Sequence, residues 1–403
     1  MNSIQWCFDN KILRLRTVTK MDNALKTTTT KVEKTMNISL ARPDITDLER
    51  RYVLEVLETP HLSLGPKLAE FEKRLANYAG VKHAVAVNSG TSALHLIVRA
   101  LDIGDGDEVI TTPFSFIASS NCILFERARP VFVDIEPTTL NIDPNLVERA
   151  ISPYTKAILA VDVFGHPAEW NRLTALADNY HLSLIEDAAE AIGSEYHNQR
   201  CGSFGDAAVF AFYPNKQVTT GEGGAVLTNH DTIAELCRSM RNQGRANGNG
   251  WLHHQRLGYN YRLSEINCAL GIAQLERIEE LLRARGRVAR LYNERLEVLK
   301  PVRVQYVASG IKMSYFVYVI RLSDDYTLDD RDRILRELRV RGVECSNYFT
   351  PIHLQPVYRT FGYHEGDFPV TESVASRTIA LPFYNSLREE EIDYVVRQLK
   401  DLL

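Results

Sequence analysis

The sequence is short of the features that would place a chain in a membrane, on nucleic acid or around a structural metal. Its longest apolar runs have the length of a strand, far below the roughly 20 residues that a membrane-spanning helix needs. It carries 47 Lys and Arg against 51 Asp and Glu, so no basic excess points to nucleic acid. Its six cysteines have no paired spacing, which argues against a disulfide framework or a metal site and predicts a reducing cytoplasm.

What the chain does have is enough length and apolar content for a soluble protein of two domains. It has 403 residues, of which 45% are hydrophobic. Residues 1–37 lack periodicity, and we interpret them as a disordered extension or an early start; acidic residues make them a poor transit peptide. The remainder predicts a large domain at 38–285 and a smaller C-terminal α/β domain at 286–403.

Seven short β-rich runs alternate with helical patterns in the large domain. A capping box at Thr46–Glu49 predicts the first helix, and the runs follow at 84–88, 108–112, 130–135, 157–164, 182–186, 207–212 and 225–229. This alternation predicts an α/β fold with a mainly parallel seven-stranded sheet that helices cover on both faces. Open sheets of this kind bind ligands beyond the carboxyl ends of their strands.

Lys216 lies in the polar, glycine-rich loop that follows the run at 207–212. A lysine at a strand end can form a Schiff base with an aldehyde cofactor, provided that a phosphate site and a partner for a pyridine nitrogen lie elsewhere. Asp187 ends another apolar run, and a carboxylate there would keep such a nitrogen protonated. The alternative is that Glu186 and Asp187 cap the next helix.

The segment Ser89–Leu94 is the candidate phosphate site. It follows a predicted strand and begins a predicted helix, where free backbone N–H groups and the hydroxyls of Thr91 and Ser92 favour an anion. An ordinary helix N-cap explains the same residues as well.

Together these segments resemble the DegT/StrS-type nucleotide-sugar aminotransferases, a branch of the fold-type I pyridoxal-phosphate enzymes. The resemblance runs from about residue 38 to the end of the chain. It is carried, in matching order and spacing, by Leu62–Pro66, Ser89–Leu94, Glu186–Glu190, Phe210–Lys216, Gly221–Gly224 and Leu257–Glu265. It implies the fold-type I architecture, pyridoxal 5'-phosphate as cofactor and no metal.

The resemblance also implies a role for each matching residue around the cofactor. Lys216 would form the Schiff base and shuttle protons, while Asp187 would pair with the pyridine nitrogen. The phosphate would be held by Gly90, Thr91 and Ser92, with Asn260 assisting from the neighbouring subunit of a homodimer.

Other matching residues would complete the site, each with a simpler alternative. Phe116 would lie against the face of the cofactor, although its apolar segment also suits a core residue. Glu190 would lie near the phenolic oxygen, unless it belongs to a solvated helix face. Leu64, Arg262 and His353 fall in segments that face the substrate in the family, although a lone histidine is more often structural.

Two positions depart from the family's pattern. Ala211 stands where many relatives have a serine that contacts the phosphate, so one hydroxyl contact is missing. Asp162 stands where relatives often have His, and the sequence assigns it no role.

The implied reaction moves an amino group from glutamate to a nucleotide-linked keto-sugar, for surface polysaccharide, lipopolysaccharide O-antigen or another glycan. The context of Glu190 favours a 4-keto-6-deoxy sugar, as in the perosamine-type C4 aminotransferases. The alternatives are a 3-keto-sugar or keto-cyclitol aminotransferase, a sugar dehydratase of the same family, and a non-catalytic regulator. Lys216 argues against the dehydratase, whose relatives carry His at that position.

Overall fold

The computed structural model describes residues 36–245 and 252–403. All but the last two residues of the predicted extension at 1–37 therefore lie outside the described residues. The helices are α1 (Asp47–Leu57), α2 (Pro66–Ala79), α3 (Gly90–Ala100), α4 (Ala118–Phe125), α5 (Pro144–Ala150), α6 (Trp170–Tyr180), α7 (Asp231–Arg241), α8 (Glu265–Glu276), α9 (Ile278–Leu296), α10 (Leu328–Val340), α11 (Pro356–Arg359), α12 (Pro369–Ala375) and α13 (Glu389–Lys400).

Strands alternate with these helices through the first two thirds of the described chain. They are β1 (His83–Val87), β2 (Glu108–Thr111), β3 (Arg129–Phe132), β4 (Thr155–Val161), β5 (Ser183–Asp187), β6 (Glu195–Tyr196), β7 (Gln199–Arg200), β8 (Ala207–Ala211), β9 (Gly224–Thr228), β10 (Val302–Arg303), β11 (Ile311–Lys312), β12 (Tyr318–Leu322) and β13 (Thr378–Leu381). Each of the seven predicted runs overlaps one of these strands.

The central sheet has seven strands in the order β1-β9-β8-β5-β4-β2-β3. Strand β9 runs antiparallel to both of its neighbours, and the other pairs are parallel. The predicted α/β fold with a mainly parallel seven-stranded sheet is therefore confirmed. The predicted capping box is also present at the start of α1, where the Thr46 N–H donates to Glu49 Oε2 over 2.7 Å.

One hydrophobic core lies on each face of this sheet. Successive side chains of a strand point to opposite faces, so Leu184 belongs to one core and Ile185 to the other. The same alternation sends the carboxylates of Glu186 and Asp187 to opposite faces at the end of β5.

The C-terminal part of the chain adds an antiparallel sheet in the order β10-β12-β13. Helices α9, α10 and α13 contribute side chains to a third core against it.

The predicted domain boundary at 285/286 falls inside α9 and stays a prediction. Helices α8 and α9 follow each other directly and are separated only by Arg277. Among the described residues, the search for a long apolar helix able to cross a membrane finds none.

Candidate active site

The carboxyl ends of β1, β5 and β8 meet around a cavity of about 510 Å³. These strands run in the same direction, so the residues that follow them lie at one edge of the sheet. The volume is within the range of roughly 300–1,000 Å³ that small-molecule sites occupy. The predicted site residues that line the cavity are Gly90, Thr91, Phe116, Asp187, Glu190 and Lys216.

Lys216 brings a buried amine into this cavity from the loop after β8. Its Nζ lies 3.9 Å from Glu190 Oε1 and 3.7 Å from the centroid of the Phe316 ring. Burial lowers the pKa of the Lys216 amine, while the carboxylates of Glu190 and Asp187 act in the opposite direction. A lowered pKa increases the neutral fraction of the amine, which is the nucleophilic form.

Phe316 was missed by the sequence analysis because it comes from the segment before β12, a hundred residues farther along the chain. Its position is fixed by Arg285, a buried residue of α9 whose guanidinium donates to the carbonyl oxygens of Tyr315 and Phe316 over 2.8 and 2.6 Å. In the sequence, the only sign of Phe316 was an apolar residue just before the strand β12. The ring therefore joins the C-terminal part of the chain to the lysine.

Asp187 lies at the bottom of the cavity with both carboxylate oxygens engaged. Ser119 Oγ donates to Oδ2 over 2.7 Å, and the Ala189 N–H donates to Oδ1 over 3.2 Å. Burial raises the pKa of Asp187, against the effect of these hydrogen bonds and of Lys216. A cationic group placed against this carboxylate would offset the cost of its burial, and a protonated pyridine nitrogen is such a group.

Glu190 is buried beside Lys216, which rules out the alternative of a solvated helix face. Its Oε2 accepts a hydrogen bond of 2.8 Å from the Phe164 N–H. Burial is the largest influence and raises the pKa of Glu190 to about 7, although Lys216 opposes it. Glu190 can therefore gain and lose a proton near neutral pH.

The start of α3 forms a cradle that suits a phosphate group. A Cβ atom on Gly90 would lie 2.8 Å from Ala211 Cβ, and one on Gly224 would lie 2.5 Å from the Ser89 carbonyl. These glycines therefore allow three backbone segments to approach closely. The first N–H groups of a helix have no partner within it, and together with Thr91 they give the site donors for an anion.

Ser92 is predicted as a phosphate ligand, but its hydroxyl contacts two neighbouring side chains of its own segment. Its Oγ donates to Asn88 Oδ1 over 2.7 Å and lies 2.9 Å from Ser89 Oγ. Its backbone N–H donates to Ser89 Oγ, so Ser89 is also an ordinary N-cap. The phosphate role of Ser92 stays a prediction.

Phe116 is not a core residue, because 61% of its surface is exposed while it lines the cavity. The position leaves its ring available to a bound molecule. Ser115 and Tyr348 also line the cavity, and Ser115 Oγ lies 3.0 Å from the Ser119 hydroxyl that holds Asp187.

Besides Ser92, four predicted residues lie outside this cavity. Asn260 and Leu64 are exposed, and Arg262 donates to Asn242 Oδ1 over 3.1 Å. His353 is fully buried, with Nε2 3.0 Å from Glu372 Oε1, which favours its structural alternative. The roles given to these four residues stay predictions.

Comparison with known proteins identifies the group to which the site belongs. Residues 43–400 match the model of the DegT/DnrJ/EryC1/StrS aminotransferase family. The chain belongs to that family. Like its relatives it is a pyridoxal-phosphate-dependent sugar aminotransferase, and its cavity residues fit the cofactor.

Individual relatives match over nearly their whole lengths. A GDP-perosamine synthase from Caulobacter vibrioides is 40% identical over 369 residues, or 91% of this chain and 98% of that protein. The structure of Helicobacter pylori PseC, an aminotransferase involved in the biosynthesis of pseudoaminic acid, is 31% identical with a TM-score of 0.87, covering 91% of this chain and 99% of that one. A putative sugar aminotransferase from Streptococcus pneumoniae, in its PLP form, is 28% identical with a TM-score of 0.87, covering 91% of this chain and 98% of that one.

Proposed function

We propose that this enzyme transfers an amino group from glutamate to a nucleotide-linked 4-keto-6-deoxy sugar. The observation that carries the proposal is the arrangement of Lys216, Asp187 and Glu190 around one cavity in a sugar aminotransferase. The similarity to a GDP-perosamine synthase supports a sugar nucleotide as the acceptor. Lys216 also argues against the dehydratase alternative.

Each residue of the cavity would have a separate role in amino transfer. Bound pyridoxal phosphate supplies the electron sink. The N–H groups at the start of α3 and the hydroxyl of Thr91 would hold its phosphate, and Asp187 would keep its ring nitrogen protonated. Lys216 Nζ would bond to its aldehyde carbon and, when free, accept a proton and return it. Glu190, with a pKa of about 7, sits where it can adjust the charge on Lys216.

We propose that the acceptor is aminated at C4, and a substrate panel tests this. The purified enzyme would be incubated with glutamate and, in turn, with nucleotide-linked 3-keto and 4-keto sugars and with a keto-cyclitol, and the amino product would be measured by mass spectrometry. Conversion of a 4-keto-6-deoxy sugar is expected. Conversion of the cyclitol alone would refute the proposal. Equal product yield with alanine in place of glutamate as the amino donor would refute the assignment of glutamate.

The active unit is proposed to be a homodimer with shared sites. Asn260 is exposed and lies outside its own chain's cavity, and apolar Leu252 and Leu257 beside it are each 69% exposed. A second copy that covers this segment would bury those leucines and bring Asn260 to the neighbouring cofactor.

Mixing two inactive variants tests the shared site directly. We assume that Asn260→Ala disables the neighbouring site that the Asn260 side chain enters. A hybrid of one Lys216→Ala chain and one Asn260→Ala chain then has one intact site, which combines Lys216 of one chain with Asn260 of the other. Refolding an equal mixture should then restore about a quarter of the wild-type activity, because half of the dimers are hybrids with one working site each. No restoration, with hybrid dimers present by native mass spectrometry, would place Asn260 in its own subunit's site, whereas full activity of Asn260→Ala alone would place it in none.

We further propose that the reaction takes place in the cytoplasm and serves the synthesis of a surface polysaccharide such as O-antigen. Cys122, Cys201, Cys237, Cys268 and Cys345 are buried free thiols, which suits a reducing compartment. Loss of the amino sugar from surface polysaccharide in a deletion strain would support this assignment, and an unchanged sugar composition would contradict it.

A further inference from the structure

A second cavity, of about 200 Å³, is lined in part by Phe164 and shares no lining residue with the cavity of Lys216. Its walls are the antiparallel sheet β10-β12-β13, the turn after β4 and the loop before α5. Apolar side chains, among them Leu140, Val163 and Met313, form much of the lining. The volume is below the roughly 300 Å³ at which pockets for drug-sized ligands begin, so only a small molecule fits.

Two arginines meet directly across the strands at this cavity. Arg303 of β10 is paired in register with Arg321 of β12, and both line the cavity. Like charges directly opposite each other destabilise an antiparallel pair. The arrangement is therefore costly for the fold unless an anion lies between or beside them.

The acids nearby do not neutralise Arg321. Asp324 forms ion pairs with Arg303 and Arg377, and both Thr138 and Thr139 donate backbone N–H groups to Glu136 Oε2 over 2.9 and 2.6 Å. Within the described residues, Arg321 makes no ion pair at 4 Å or less; its Nη1 donates to the Pro137 carbonyl oxygen over 2.7 Å.

Burial and the adjacent charges both act on Arg321. Burial lowers the pKa of its guanidinium, and repulsion from Arg303 and Arg377 adds to the shift. The carboxylates of Asp324 and Glu136 act in the opposite direction, and a bound anion would add to their effect.

Gln305, which also lines the cavity, carries a donor without an acceptor. Gln305 Nε2 is buried and has no hydrogen-bond partner in the described part of the chain, although Gln305 Oε1 accepts from the Val319 N–H over 3.3 Å. Leaving such a donor unpaired destabilises the fold. Burial lowers the pKa of the neighbouring His166, which also lines the cavity.

We propose that this cavity binds a small organic anion, whose carboxylate or phosphate group pairs with Arg321 and accepts a hydrogen bond from Gln305 Nε2. A planar guanidinium suits both head groups. The apolar lining would cover a short hydrocarbon body. The site is separate from the cavity of Lys216 and gives the enzyme a second ligand.

Calorimetric titration of the holoenzyme with butyrate, butylamine and inorganic phosphate tests the site and distinguishes the possible ligands. Butyrate is expected to bind, butylamine is not, and phosphate binding alone would assign the site to an inorganic ion. Arg321→Gln should weaken butyrate binding about tenfold, the loss expected for one charged hydrogen bond. Gln305→Leu should weaken it less, and Arg283→Gln, which removes an exposed charge on α9, should not change it.

Thermal melts of the same proteins serve as the second measurement. Butyrate should raise the melting temperature of the wild type and of Arg283→Gln, but not that of Arg321→Gln. Far-UV circular dichroism without ligand would verify that the variant folds. Binding of equal strength to wild type and folded Arg321→Gln would place the anion elsewhere, for example against Lys216, and would overturn the proposal, as would the absence of binding to the wild type.

Discussion

Two pairs of buried acids lie on opposite faces of the central sheet and differ in what surrounds them. Asp187 and Glu190 share their face with the amine of Lys216 and line an open cavity. Asp162 and Glu186 lie on the other face, where their carboxylates and the thiol of Cys201 come within 4.8 Å of one another in the core. Adjacent residues of one strand, Glu186 and Asp187, thus enter two different environments.

The second pair is held by neutral donors instead of a cation. Glu186 accepts from the N–H groups of Gly202 and Phe204 over 2.7 and 2.8 Å. Asp162 Oδ1 accepts from Ala168 and Trp170, whereas Oδ2 has no partner in the described residues. Burial raises the pKa of Asp162 to about 6 and that of Glu186 well above its usual range.

The comparison teaches that a buried carboxylate with a raised pKa does not by itself mark an active site. Burial raises the pKa on both faces. What distinguishes the face of Asp187 is a reactive amine, an opening to solvent and an anion cradle at the start of α3. The five predictions that follow alter one face at a time.

Replacing Lys216 by alanine should have the largest effect. Without the amine, amino transfer from glutamate is expected to fall below detection, because the group that bonds to the cofactor and carries the proton is gone. Amino product would be followed by mass spectrometry. Lys312→Ala, which removes an exposed lysine paired with Glu195, is the matched control and should retain full activity. Retention of amino transfer by the Lys216 variant would contradict the assignment.

Asp187→Asn should reduce the rate by about 10²–10⁴-fold, the range for loss of one acid–base group. The amide cannot hold a proton on the pyridine nitrogen by charge. The unfolding free energy should not fall, because the new amide N–H can donate to Ser119 Oγ, whose own proton can go to the Phe116 carbonyl oxygen. Single-turnover reaction with glutamate measures the rate, and urea denaturation measures the stability. A rate within threefold of the wild type would show that Asp187 is only structural.

Glu190→Gln should change the pH dependence more than the size of the activity. The wild-type rate with glutamate should show an inflection near pH 7, because Glu190 titrates there and its ionised form favours the charged Lys216 amine. The glutamine variant should lose that inflection, with a rate about tenfold lower. Rates from pH 5 to 9 provide the measurement, and an unchanged inflection would assign the titration to another group.

Asp162→Asn should affect stability and leave activity unchanged. The folded-state pKa of about 6 exceeds the ordinary value of 3.8, so the folded protein keeps a proton that the unfolded chain releases. Wild-type stability should therefore fall as the pH rises from about 4 to 6. The variant should avoid that loss, gaining on the order of 3 kcal/mol above pH 6 and nothing below pH 4.

Glu186→Gln is the contrasting change on the same face. Both oxygens of Glu186 accept backbone N–H groups, so an amide nitrogen would meet a donor and destabilise the fold by about 1–3 kcal/mol. Urea denaturation across pH compares the two variants. Equal behaviour would mean that the two acids are interchangeable in the core.

Much of this arrangement follows from local sequence. The seven runs predicted the strands because buried β-rich segments between turns are a local signal. The meeting of Lys216 and Asp187 followed from strand direction, since parallel strands end at the same edge. Neither step required distant contacts.

The residues that the sequence did not reveal depend on tertiary packing. Phe316 reaches Lys216 only because Arg285 fixes the segment before β12. Ser119 meets Asp187 only because the start of α4 reaches the carboxyl end of β5. The opposite faces of Glu186 and Asp187 were readable from strand alternation, but the lack of a cation near Asp162 was not.

Trapping the cofactor on its lysine is the most direct test of the account. The holoenzyme would be reduced with borohydride, digested and mapped by mass spectrometry. The account predicts a pyridoxyl group on the peptide that contains Lys216, and the loss of that label when glutamate is added before reduction. A label on another lysine, or one unaffected by glutamate, would contradict the claim that this cavity is the site of amino transfer.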